Sequence, residues 1–174
     1  MDQIKDVSLF FARGIKLLSN YYHEDEAVRR RFADDLAERL GQDADEDNLL
    51  LRLDLADYED FAELLRALCL ALEPEETGGP ELTLSALQRA LDGLERRLER
   101  EERCVCLLLE NFQLCAGRWT EPDFGWLREL LYHSEVFSCV TVSDRHMELF
   151  AHVPALGSAL SNIFTVAERI GGGR

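Results

Sequence analysis

The chain has 174 residues, 47% of them apolar and 30% charged, so it can bury one substantial core. Its 34 acidic residues outnumber 19 basic ones, giving a formal net charge of -15. That balance argues against binding by general attraction to nucleic-acid backbones or anionic lipid, because both need a cationic face.

No unbroken apolar run exceeds six residues, Cys104 to Leu109 among them, whereas a membrane span needs about twenty. The start, Met-Asp-Gln-Ile-Lys-Asp, has neither the cationic opening nor the apolar stretch of a secretory leader. The five cysteines, Cys69, Cys104, Cys106, Cys115 and Cys139, form no Cys-x-x-Cys pair. The expectation is a cytoplasmic protein with reduced, mostly buried thiols, no membrane contact and no metal set built on cysteine. Only Lys5 and Lys16 are lysines; the other seventeen basic residues are arginines.

In chain order, Val7, Phe10, Phe11, Ile15, Leu18, Tyr21 and Tyr22 recur at three- and four-residue steps and predict an amphipathic helix. Val7 to Ala12 alone also suits a short strand turning at Gly14. Val28, Phe32, Leu36 and Leu40 form one stripe of a second helix stopped by Gly41, so residues 1–41 read as an N-terminal helical segment. Leu49 to Leu55 is leucine-rich and short, as a buried parallel strand is. Asp57 is placed to cap the next helix, which carries Phe61, Leu64, Leu65, Leu68 and Leu72 on one face.

After a Pro- and Gly-containing loop, Thr83 to Arg100 predicts a long helix. Its leucines, Leu84, Leu87, Leu91, Leu94 and Leu98, make a seam of barely two heptads. The seam reads first as a helix docked on a sheet, and second as a candidate interface. Cys104 to Leu109 is the clearest buried strand. Thr120, Pro122 and Asp123 start a helix carrying Phe124, Leu127, Leu130 and Leu131. Val136 to Val142 is a third strand, Arg145 to Phe150 a short helix, and Ile163 to Val166 a fourth strand. The fold class is therefore α/β: a three-layer, mainly parallel sheet of about 4–5 strands flanked by helices, with the N-terminal helical segment packed on it. It is read as one domain over residues 1–170, with a flexible tail at 171–174.

In such sheets ligands sit off the carboxyl ends of the strands. Asp54, then Glu110 and Asn111, then Ser143, Asp144 and Arg145 follow three of the predicted strands. Acids in such a row either converge on Mg²⁺ or belong to a nucleotide triphosphatase strand ending in Asp-Glu. Cys115 needs a base from His133, His146 or His152 to act as a nucleophile; packing is its default.

Cys104-Val-Cys-Leu-Leu-Leu-Glu-Asn-Phe112 resembles the Walker B strand of AAA-type and STAND ATPases, the signal-transduction ATPases with numerous domains. Leu50 to Leu65 is similar to the second strand and following helix of bacterial STAND cores. Val140-Thr-Val-Ser-Asp-Arg145 is similar to their sensor-bearing strand, with Ser143 and Arg145 as sensor-like residues. Gly157 to Phe164 resembles the approach to their last core strand. The resemblance covers about Phe32 to Ile170 and implies a P-loop ATPase core, with a further domain of the family beginning after Ile170.

The departures decide what function the resemblance implies. A Walker A loop, Gly-x-x-x-x-Gly-Lys-[Ser/Thr], cradles phosphates with backbone N–H groups and a lysine, and no such string occurs here. Glu110 stands where the Mg²⁺-linked Asp is found, and Asn111, whose amide takes no proton, stands where the water-activating Glu is found. The expectation is a degenerate core with no catalytic residues and no cofactor, acting through a protein partner: another copy, or an active ATPase or effector. Family likeness tilts the setting toward bacterial signalling or defence. Two alternatives stand beside it. One is a Mg²⁺-dependent hydrolase or phosphotransferase using Asp54, Glu110 and Asp144. The other is a nucleotide-binding domain with an unorthodox phosphate loop at Arg13, Gly14 and Lys16.

Overall fold

The computed structural model describes residues 3–45, 47–73, 82–146 and 163–171. Helix α1 (Gln3–Ala12) leads into strand β1 (Leu18–Tyr22), and α2 (Glu26–Asp43) into β2 (Asn48–Asp54). Helices α3 (Phe61–Leu72) and α4 (Leu84–Arg100) precede β3 (Cys104–Glu110). Helix α5 (Glu121–His133) precedes β4 (Phe137–Ser143), and β5 (Val166–Arg169) is last. The five strands form one parallel sheet in the order β2-β3-β4-β1-β5. The expected α/β architecture is therefore present. The predicted helix at Arg145 to Phe150 lies, from residue 147 on, outside the described residues, as does the end of the predicted tail.

The first segment differs from its predicted single helix. Gly14 takes φ +60 and, with Ile15, folds back onto the carbonyls of Phe11 and Phe10, at 2.9 Å each. This left-handed closure ends α1, and glycine adopts it without the Cβ clash other residues meet. The chain then extends, and Leu18–Tyr22, not Val7–Ala12, supplies the central strand between β4 and β5. Gly41, expected to stop α2, lies inside it; the helix runs on to Asp43. The cap of α3 is Asp60, whose carboxylate accepts from Glu63 N–H at 2.9 Å, while Asp57 ends a 3-10 turn. At α5 the Thr120 and Asp123 pairing forms as expected: Thr120 N–H and Oγ1 both donate to Asp123 Oδ2 at 2.7 Å.

Alternation along β3 divides the interior in two. Val105, Leu107 and Leu109 face one core with α3, α4 and α5; Cys106 and Leu108 face the other with α1 and α2. The α4 seam is spent on the first core. Leu87 and Leu91 are fully buried, Leu94 and Leu98 nearly so, and only Leu84 is half-buried. Leu87, Leu91, Leu94 and Leu98 pack against α3 and the sheet, so of the five seam leucines only Leu84 keeps access to solvent. All five cysteines are free thiols, and four are buried. Cys115, weighed as a nucleophile, is 1% exposed, and burial pushes its thiol far up, so it packs. Among the described residues no helix is long and apolar enough to cross a membrane.

Candidate functional site

The carboxyl ends of β1, β3 and β4 meet at one edge of the sheet. Three residues, His23, Glu24 and Asp25, join β1 to α2. The turn is held from within. His23 N–H donates to Ser143 O at 3.1 Å, and Asp25 N–H to His23 Nδ1 at 3.0 Å. The Asp25 carboxylate accepts from Ala27 N–H at 2.8 Å, so the helix N-terminus, a natural anion site, already holds an anion of its own chain. Arg29, only 8% exposed, reaches back and donates through Nη1 to the carbonyls of His23 and Glu24 at 2.8 and 3.0 Å.

Glu110 ends β3 opposite Asp54 of β2. Its carboxylate is taken by Arg52, which also pairs with Asp34 of α2 at 2.6 Å. Glu110 in turn holds the guanidinium even more firmly protonated. Asn111 sits in the left-handed region at φ +51 and donates through Nδ2 to Asp54 Oδ1 at 2.8 Å. Asp144 and Arg145 form a two-bonded pair at 2.7 and 2.8 Å, which lowers the Asp144 carboxyl and raises Arg145. Ser143 is buried: its Oγ donates to Arg145 O at 2.7 Å and accepts from Asn20 Nδ2 at 3.0 Å.

Asp54 and Glu110 are thus brought side by side, whereas Asp144 is engaged by Arg145. Among the described residues no group of three His, Cys, Asp or Glu could hold a metal ion, which gives the alternative three-acid reading no support. The cavity between Glu26, Arg29, Arg30, Asp54, Glu110, Asn111 and Val142 measures about 30 Å³, roughly the share of one water in the liquid.

Lys16 lies at the opposite edge. It precedes β1, and its ammonium donates to Tyr132 O at 2.9 Å and to Ser134 O, capping the carboxyl end of α5. Burial lowers its pKa, with Glu135 and Glu95 opposing that effect. The structure disfavours the Arg13, Gly14 and Lys16 reading of a phosphate loop: these residues sit at the amino end of β1, and Lys16 is spent on the carboxyl end of α5. Sequence reasoning missed Arg29, Arg52 and Asp25. For Asp25 the signal was the pair Glu24-Asp25 just before a helix, legible only once β1 is placed at Leu18–Tyr22; Arg29 and Arg52 carried none.

No family model matches the sequence, and no curated protein matches it. Solved structures do. The Aeropyrum pernix ORC2 protein, solved as ADPNP–ADP complexes, superposes with TM-score 0.66 at 12% identity, over 97% of this chain and 46% of that one. The A. pernix ORC1 protein in complex with DNA gives 0.68 at 14%, over 94% and 43%. Cdc6p from Pyrobaculum aerophilum gives 0.66 at 10%, over 97% and 44%. The chain spans less than half the length of each of these three proteins. At such identities the likeness carries the fold alone, and the fold of this chain is the P-loop ATPase-like one.

Proposed function

We propose that the chain is a non-catalytic, ATPase-like assembly module that works through protein contacts. One observation carries the reading: a three-residue acidic turn, sealed by Arg29, stands between β1 and α2. A phosphate loop needs eight residues there, with glycines that let backbone N–H groups face the phosphates and a lysine that reaches them. Here carbonyls and a guanidinium face one another, and Glu24 and Asp25 would repel a phosphate. Two further features support it. Arg52 occupies the acid at the end of the Walker B-like strand, and Asn111 cannot take a proton from water.

A protein partner, whether another copy or an active ATPase or effector, fits the net charge of -15 better than nucleic acid does. The DNA in the ORC1 complex belongs to a protein of more than twice this length. Five unpaired thiols support a cytoplasmic setting, and the strand pieces similar to STAND cores support signalling or defence. The test is calorimetric titration of the purified chain with ATP and Mg²⁺. No heat of binding is expected. Micromolar saturable binding would sink the reading.

A further inference from the structure

Large apolar side chains exposed to solvent are few among the described residues, and they are not scattered evenly. Leu9, Phe10 and Ile15, on α1 and its closing turn, are 48%, 39% and 43% exposed. Beside them runs a groove of about 630 Å³ between α1 and α2, within the range of pockets that bind ligands. Ile4, Leu9 and Ala12 give it an apolar wall; Asp6, Asp35 and Asp43 give it carboxylates, and Lys5 and Arg39 give it cations. Arg39 neutralises Asp43, at 3.7 Å, and donates to Ser8 Oγ at 3.1 Å. Three carboxylates against Lys5 and Arg39 leave the lining with one negative charge in excess.

We infer that this groove is the docking site for a short cationic amphipathic helix of a partner protein. The proposal rests on the assembly-module reading above and names its partner's chemistry. Helix α1 has ten residues, about 15 Å of length, which takes roughly three turns of a second helix. A helix laid in such a groove anchors through apolar residues at i, i+3 or i+4, and i+7. The carboxylate in excess favours Lys or Arg on its flanks, since complementary charge fixes partner choice and speeds encounter. A second copy is disfavoured by the same charge: two chains at -15 repel. Nucleic acid is disfavoured for the same reason.

The experiment titrates two synthetic helices into the full chain and reads fluorescence anisotropy. Both carry the same leucine face; one has lysines on its polar face and the other glutamates. The lysine helix is expected to saturate at one per chain, with the glutamate helix at least about tenfold weaker. Leu9→Asp is expected to weaken the lysine helix about tenfold or more, as loss of a buried anchor does. Leu70→Asp, at the exposed Leu70 of α3, is expected to leave it unchanged. Asp6→Asn with Asp35→Asn is expected to weaken binding several-fold and to flatten its salt dependence. Circular dichroism of each variant checks that the exposed substitution has not unfolded the chain. Equal binding of both helices, equal loss in Leu9→Asp and Leu70→Asp, or no binding would overturn the proposal. So would a dimer in sedimentation that Leu9→Asp dissociates, because a second copy would then be the occupant. None of these outcomes touches the nucleotide titration, so a failed groove and a failed assembly-module reading are told apart.

Discussion

Replacing Arg29 by methionine keeps its apolar stem and removes the guanidinium that seals the β1–α2 turn. Two hydrogen bonds are lost, at 2.8 and 3.0 Å to the His23 and Glu24 carbonyls. Bonds from a charged donor contribute about 1.5–3 kcal/mol each. Against that loss, Arg29 Nε is buried without a partner, so removing the cation relieves a desolvation cost. The net destabilisation is about 2 kcal/mol, and a domain of this size shifts about 2–4 °C per kcal/mol. Arg29→Met should therefore melt roughly 4–8 °C below the parent chain in circular dichroism. Its titration with ATP and Mg²⁺ should stay silent, because three residues cannot form a phosphate cradle even when unplugged. An unchanged melting temperature would refute the seal. Acquired ATP affinity would refute the argument from loop length and make Arg29 a removable plug.

Leu91→Ala should cost about 2–5 kcal/mol in urea denaturation, as deletion of a fully buried leucine does; a loss below 1 kcal/mol would return the α4 seam to the surface. In native alkylation followed by mass spectrometry, Cys104 should react first, because it is half-exposed while Cys69, Cys106, Cys115 and Cys139 are buried. Early modification of Cys115 or Cys139 would contradict the packing. Burial raises the Tyr21 phenol from 10 to about 12, with Glu168 and Asp6 adding to it. The folded state therefore keeps a proton that the unfolded chain has released above pH 10, so stability falls as pH rises from 10 to 12. The loss is at most about 3 kcal/mol. Tyr21→Phe should flatten that part of the alkaline unfolding curve, and an unaltered curve would show that Tyr21 titrates normally.

The strands that the sequence declared were those whose burial is written in leucine, valine and cysteine. Strands β2, β3 and β4 fall within a residue or two of their expected limits. Strand β1 was hidden because its burial comes from neighbours and not from composition. Ser19 and Asn20 are fully buried between β4 and β5, yet neither residue reads as core. Tyr21 and Tyr22 also continued a helical spacing begun at Val7, and only the left-handed turn at Gly14 breaks it. At the site, Glu110 and Asn111 were legible because strand ends are local features. Arg29 and Arg52 were not, since each acts on groups that another element brings near. Periodicity carries no record of those contacts. The leucine seam was legible as core, and four of its five leucines are buried as that reading expects.

The arrangement also explains how a central strand is held when only three residues join it to the next helix. Ladder pairing joins β1 to β4 from Leu18 to Tyr22 and to β5 from Ser19 to Tyr22. Deleting the strand would orphan backbone groups on both neighbours, which buried sheets do not tolerate. Asn20 adds side-chain bonds to Thr141 and Ser143 at 2.9 and 3.0 Å, tying β1 to β4 near the same edge. The scaffold thus rests on ladders and two cores, whereas phosphate binding rests on the length and glycine content of one turn. A three-residue turn is therefore compatible with an intact scaffold, and charged side chains crowd around it. The chain answers with pairs of its own: Arg30 with Glu26, Arg52 with Asp34 and Glu110, Arg145 with Asp144, and Arg169 with Glu24. The exposed pairs contribute little stability individually. Their effect is to engage the arginines of that edge within the chain, so that an anionic partner gains little there without first breaking a pair. The carboxylate in excess and the exposed apolar side chains lie instead along α1 and α2, and recognition is expected on that side.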